Sequence, residues 1–289
     1  MDYLLNIIIL GGLYSILSVS LNIASGYAGI LSLAHAAFYG IGAYTVALLT
    51  VKAGMPFWPA LFLAGIFSSL CGCLIGIPTL RLKGDYLLIA TLGFGEIFKN
   101  TIVNLDNITE GPRGITSIEP ANILGFQLDT DLGFLGLLAV FFGLCVISSY
   151  LIKKSPFGQI LYAISEDEDG VAALGRNPSV FKVLAIVVST FWAGIAGGLY
   201  AVYTGYINPN LFSINESIMI LSMVLFGGLR SIRGAAIGAF VLISLPELLR
   251  FVGFPEATAA LFRQMLYGSL LIIIMYVRPQ GLMGTVKLR

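Results

Sequence analysis

NIASGYAGILSLAHAAFYGIGAY, residues 22–44, is glycine- and alanine-rich, contains no Asp, Glu, Lys or Arg, and carries Asn22, Ser25, Ser32 and His35 inside an apolar run. In a helix that had to stand alone in water, each such glycine would cost about 1 kcal/mol relative to alanine. In a membrane bundle the same small residues let neighbouring backbones approach. Polar groups and broken helices are tolerated at membrane depth where they line a cavity or meet protein. The stretch therefore reads as a discontinuity between two apolar segments of a helical bundle.

The whole chain has the composition this requires. Of 289 residues, 57% are hydrophobic and 11% charged, with 34 glycines; a soluble domain carries charge on roughly 25% of its residues. A formal net charge of +1 gives no basis for nucleic-acid binding or a polybasic surface anchor. Each crossing needs about 20 mostly apolar residues. The candidate segments are 4–27, 33–51, 58–80, 86–103, 134–152, 183–203, 213–229, 232–250 and 264–277. The expectation is an all-α polytopic membrane protein, a single transmembrane domain over 1–289, with about nine spans (eight to ten) of which some are short or broken. The first run follows Met1-Asp2 without a basic region and is succeeded by further spans, so it reads as a retained helix and not as a cleaved signal.

Basic residues orient the bundle. With the C-terminus cytoplasmic, the inner connections hold Arg81, Lys83, Lys153, Lys154, Arg176, Lys182, Arg230, Arg233, Arg278, Lys287 and Arg289; the outer ones hold Lys52, Arg113, Arg250 and Arg263. Nine crossings then put the N-terminus and the acidic 104–133 loop outside. Small-xxx-small pairs at Gly72/Gly76, Gly194/Gly198 and Gly234/Gly238 predict close helix contacts. Cys71, Cys73 and Cys145 fall in apolar runs, without histidine neighbours, and read as small buried side chains rather than metal ligands.

Two further clusters, RLKGDYLLIATLGFGEI (81–97) and VLFGGLRSIRGAAIGA (224–239), mix glycine with polar residues. The 22–44 and 81–97 clusters are expected to border a pathway. His35, the only histidine, serves either as a structural hydrogen-bonding group or in that pathway. Glu96 would be costly exposed to lipid, and Lys99, three residues on, is a candidate ion-pair partner. Arg81, Lys83 and Asp85 mark a helix junction at the inner face.

The most polar interruption is ISEDEDGVAALGRNP, residues 164–178. Ser165 followed by Glu168 has capping-box spacing, with Glu166, Asp167 and Glu168 near the positive end of a helix. Val171, Ala172 and Leu174 give it an apolar side, Gly175 ends it, and Asn177-Pro178 starts the next helix. The result is a short cytoplasmic helix joined to a span, suited either to docking a partner or to serving as a solvated connector. No P-loop, H-E-x-x-H or G-x-S-x-G motif is present. A transport subunit, a self-sufficient channel or secondary transporter, and a membrane enzyme or structural protein stay open on these grounds.

The chain resembles the LivM-type permeases of high-affinity branched-chain amino-acid ABC importers. The resemblance runs nearly full length, through LNIASGYAGILSLAHAAFYGIGAY (21–44), RLKGDYLLIATLGFGEI (81–97), TEGPRGI (109–115), AISEDEDGVAALGRNPSVFK (163–182), AGIAGGLYA (193–201), LFGGLRSIRGAAIGA (225–239) and RPQGLMG (278–284). It implies an inner-membrane importer made of this chain, a LivH-like permease, two ATPase subunits that use ATP and Mg, and an extracytoplasmic amino-acid-binding protein, with no cofactor and no enzymatic reaction in this chain. It also implies that 153–182 is the ATPase-coupling loop, through Ser165, Glu166, Asp167, Glu168, Val171, Ala172, Leu174 and Gly175. Ser165 and Arg176 depart from the usual family pattern. For an aliphatic zwitterion the expected passage is mostly apolar with a few donors and acceptors, for which Ser32, His35, Thr91 and Glu96 are the candidates. Related permeases for urea, amides or other amino acids share this broad pattern.

Overall fold

In a computed structural model the described residues are 2–79, 82, 84–120, 122–123, 126–127, 130–250, 265, 268–269, 272–273, 276–278 and 280–284. Arg81, Lys83 and half of the expected 264–277 span lie outside them.

α1 (Asp2–Asn22) continues into a wide π turn, Ile23–Tyr27, and the helix then gives way to an irregular stretch, residues 29–34. Gly29 enters that stretch at φ 69°, a left-handed conformation that glycine adopts without a Cβ clash. α2 (His35–Ala47) restarts the helix and ends in a second π turn, Leu48–Lys52. α3 (Phe57–Thr79) and α4 (Asp85–Asn104) follow, then the one-turn α5 (Asp106–Thr109) and a small hairpin of β1 (Asn122–Ile123) and β2 (Phe126–Gln127). α6 (Asp131–Lys154) leads through α7 (Pro156–Glu166) and α8 (Glu168–Ala173) to α9 (Pro178–Thr204), α10 (Ile214–Gly227) and α11 (Ile232–Arg250).

The fold is an all-α polytopic membrane protein, but the span count differs from the sequence expectation of about nine. Among the described residues five helices are long and apolar enough to cross: Tyr3–Tyr27, Phe57–Thr79, Asp85–Asn104, Asp131–Lys154 and Pro178–Thr204. Ile214–Gly227 and Ile232–Leu245 are shorter apolar helices. The 33–51 run loses its first residues to the break and its last to the π turn, leaving α2 with 13 residues. Hydropathy counts apolar length; it does not see where the backbone leaves the helix.

The helices α1, α2, α3, α4, α6, α9, α10 and α11 alternate in direction. One end gathers Lys52 against the carbonyl of Ile108, Tyr203 against Asn6, and a backbone bridge between Ile115 and Ile207. The other, basic end gathers Asn22, Gly26, Lys153, Ser165 and Arg230. Residues 282 and 283 lie there too, their amides donating to Phe226 and Gly227 carbonyls.

α2 is clasped between α3 and α9 because small residues remove side-chain bulk at the crossings. A Cβ on Gly42 would collide with the Gly194 carbonyl, and one on Gly197 with the Tyr39 carbonyl. The small-xxx-small positions behave likewise: Gly72 faces Thr190, Gly198 faces Val46 and Leu61, and Gly234 faces Gly227. Cys71 and Cys73 are half-buried free thiols and Cys145 is buried.

Gly42→Leu is expected to destabilise the folded protein by about 1–3 kcal/mol or more, because backbone on both sides must move. Gly136, with open space around its Cβ position, is the control: Gly136→Ala should be neutral or slightly stabilising. Thermal unfolding in detergent checks both.

Candidate functional site

The break at 29–34 leaves backbone amides outside any helical ladder, and at membrane depth no water replaces the missing partners. Hydroxyls from three helices and the loop itself satisfy the start of α2. Leu33 N–H donates to Thr91 Oγ1 of α4 at 3.1 Å, Ala34 N–H to Ser32 Oγ at 3.2 Å, and Ala36 N–H to Ser217 Oγ of α10 at 3.1 Å. His35 Nε2 meets Ser20 Oγ of α1 at 2.9 Å, and Ser189 of α9 donates to the Ser20 carbonyl at 2.7 Å.

These groups surround a small cavity of about 30 Å³, bounded among others by Ser32, His35, Phe38, Thr91, Ser189 and Thr190. A space of that size is too small for an amino acid, so passage here requires the surrounding helices to move. Three of the four pathway candidates, Ser32, His35 and Thr91, are thus brought together. Glu96 is not: it sits half-buried on α4, away from this cavity, and the expected ion pair with Lys99 is not formed. α4 buries little of its length and offers Tyr86, Ile89 and Ile97 outward, so both side chains extend from a helix with few neighbours to fix them.

A second group, invisible to the sequence reading, lies around Glu216. Its carboxylate accepts a hydrogen bond from Tyr14 of α1. Tyr39, one turn beyond His35, packs against Tyr200 and Phe212 at 5.4 and 5.2 Å between ring centroids. The available signal was a single acid inside the apolar 213–229 run, where an ionisable group is expensive and seldom idle.

The 155–177 loop forms two helices where one was expected. Ser155 caps α7 by accepting from Gly158 N–H, with Pro156 at the first helical position. Ser165 is not a cap: it lies inside α7, donates to the Tyr162 carbonyl at 2.6 Å and accepts from Arg230. Asp167 caps α8 instead, extended at φ −150° and accepting from Gly170 N–H at 3.0 Å. A serine whose hydroxyl is taken by the preceding turn cannot reach forward, whereas Asp167, outside both helices, can. Glu168 pairs with Lys182 at 2.6 Å and ties α8 to the second turn of α9.

The far end of α8 follows the expected pattern. Gly175 at φ 78° turns the chain, with its N–H on the Ala172 carbonyl and Arg176 N–H on the Val171 carbonyl, a Schellman ending. Asn177 caps α9 through Ser179 N–H at 3.2 Å. Val171 is buried, while Ala172 is exposed and Leu174 is 83% exposed. Glu166, Asp167 and Asp169 are exposed beside them. The loop thus presents an apolar tip ringed by acids, fastened to the bundle at both ends.

The chain matches the family model described as "Branched-chain amino acid transport system / permease component" over residues 3–275. The chain belongs to this permease family. Among relatives of the permease, the high-affinity branched-chain amino acid transport system permease protein LivM of Salmonella typhimurium is 37% identical, the alignment covering 94% of this chain and 68% of that one. The corresponding Escherichia coli protein is 36% identical over the same shares. The LivH permease protein of Salmonella typhimurium is 24% identical over 98% and 95%. No solved structure matches the permease.

Asp167→Ala should speed hydrogen exchange at the Gly170 amide and weaken α8 by about 1 kcal/mol, the usual cost of a lost N-cap. Ser165→Ala should leave exchange at Gly170 unchanged, because Ser165 does not cap that helix.

Proposed function

We propose that this chain is one of two permease subunits of an ATP-driven importer for Leu, Ile and Val, sited in the cytoplasmic membrane beside a LivH-like permease. Two ATPase subunits drive it, and an extracytoplasmic binding protein delivers the amino acid. The N-terminus lies outside, and the basic end of the bundle, with the 155–177 loop and residues 280–284, faces the cytoplasm, in keeping with the excess of Lys and Arg there.

The observation that carries this reading is the pairing of a small, mostly apolar cavity bordered by Ser32, His35 and Thr91 at a helix break with an exposed, rigidly capped helix pair at the basic end. Ser32, His35 and Thr91 supply the few polar contacts for a zwitterion crossing between apolar walls. α7 and α8 supply the motor contact, Leu174 and Ala172 through apolar burial and Asp167 and Asp169 through charge, while the Glu166 carboxylate is held by Arg230. Val171 packs inward, and Glu168 and Gly175 hold the loop's shape. The aromatic stack of Phe157 on Phe181, at 5.7 Å between centroids, and the Glu168–Lys182 pair join the loop to α9, so a push on one is felt by the other. Binding of the motors must favour one state of the bundle over the other for that push to shift access. No bond of the substrate changes, and no catalytic group is required of this chain.

Reconstitution of the complete assembly with labelled Leu, Ile, Val, other amino acids and urea, with and without ATP, tests the reading. ATP-dependent uptake of the branched-chain amino acids is expected. Uptake by this chain alone on an ion gradient would refute it, and ATP-driven uptake of urea alone would replace the substrate. Leu174→Asp, which changes only an exposed tip, should reduce co-purification of the ATPase subunits and uptake together.

A further inference from the structure

Arg230 counts in the sequence only as one basic residue among those that orient the chain. In the structure it occupies the joint between α10 and α11 with its side chain 8% exposed. Its φ of 65° is a conformation unfavourable to any residue with a Cβ and one that persists only where surroundings enforce it. The enforcing contact is Asn22 Oδ1, at the end of α1, which accepts the Arg230 backbone N–H at 3.0 Å.

The guanidinium then reaches two other segments. Its Nε donates to the Gly26 carbonyl in the π turn of α1 at 3.0 Å. Its Nη2 donates to Ser165 Oγ at 2.7 Å and Glu166 Oε1 at 2.9 Å, and its carbon lies 3.9 Å from the centre of the Tyr162 ring. One buried charge therefore joins the C-terminal turn of α7, the π turn of α1 and the α10–α11 joint. Gly26 is followed at once by the 29–34 break, which supplies Ile30, Ser32 and Ala34 to the cavity wall. Gly29 itself faces Ser165, whose Cβ would stand 3.1 Å from a Cβ placed there.

We propose that Arg230 is the positioning residue that carries movement of the 155–177 loop to the broken α1–α2 junction, and so to the cavity. The inference rests on the coupling role given to that loop above. A buried guanidinium deprived of its carboxylate is strongly unfavourable, so α7 cannot shift away without Arg230 following or exchanging partners. Following pulls on Gly26. Space for such a change lies alongside: a second cavity of about 230 Å³ is bounded by Tyr27, Lys153, Gly158, Gln159, Tyr162 and Arg230. Lysine is no substitute, because a single ammonium cannot span the fork of acceptors that guanidinium holds in one plane.

The test uses the complete assembly in proteoliposomes and measures leucine imported per ATP hydrolysed, with motor-subunit content measured in the same preparation. Arg230→Ala, Arg230→Lys and the double variant Ser165→Ala/Glu166→Gln are each expected to lower that ratio about tenfold while the motor subunits stay bound. If Arg230→Ala does not assemble, the double variant decides alone, because Glu166 is 58% exposed and both replacements are small. A wild-type ratio in the double variant, or a Lys variant that couples normally, overturns the proposal. The coupling-loop reading fails differently, by unchanged motor content in Leu174→Asp, so the two failures cannot be confused.

Discussion

An amide that leaves a helix at membrane depth must find another acceptor, and leaving one buried donor unpaired costs about 1–3 kcal/mol. The break between α1 and α2 creates several such donors. Thr91 of α4, Ser32 of the break itself and Ser217 of α10 take three of them, while His35 is fastened to Ser20 of α1. The helices around the break are thus held in place by the defect they repair. The small cavity is what remains between them, and the few donors and acceptors on its wall already belong to a network that any opening movement has to reorganise.

Around that defect the bundle can be tight because side chains have been removed where backbones cross. Gly42 and Gly197 let α2 lie directly against α9, and aromatic residues fill the space beyond, with Tyr39 edge to face on Phe212 and tilted against Tyr200. Packing of this density transmits displacement instead of absorbing it. The lightly packed α4 is the exception: it brings Thr91 to the cavity while exposing most of its other face. Among the five long spans of the described residues, it buries the smallest share of its length.

At the basic end the chain attaches a water-facing loop to this interior. α7 and α8 are each capped by a residue just outside the helix, Ser155 and Asp167, and α8 is closed by Gly175. The loop keeps its shape without needing a partner to impose one. It is joined inward by buried Leu161, Ile164 and Val171, by the Phe157–Phe181 stack, by the Glu168–Lys182 pair and by the contacts of Arg230.

The sequence by itself determined that this is a helical membrane protein, because apolar length and scarce charge have no other stable solution in 289 residues. It also located the break near Ser32 and His35, the small-residue crossings, the helix ending at Gly175 and the cap at Asn177, all of which depend on residues close in the chain. Tertiary structure alone decided which polar groups meet. Thr91 is 58 residues from Leu33, Ser217 is 181 from Ala36, and Arg230 is 64 from Glu166, separations over which no local pattern carries information. The same reason explains Ser165: its spacing to Glu168 suits a cap, but the preceding turn and a distant arginine claimed its hydroxyl first. Spacing along a chain proposes partners, and only the fold determines which of them come within 3 Å.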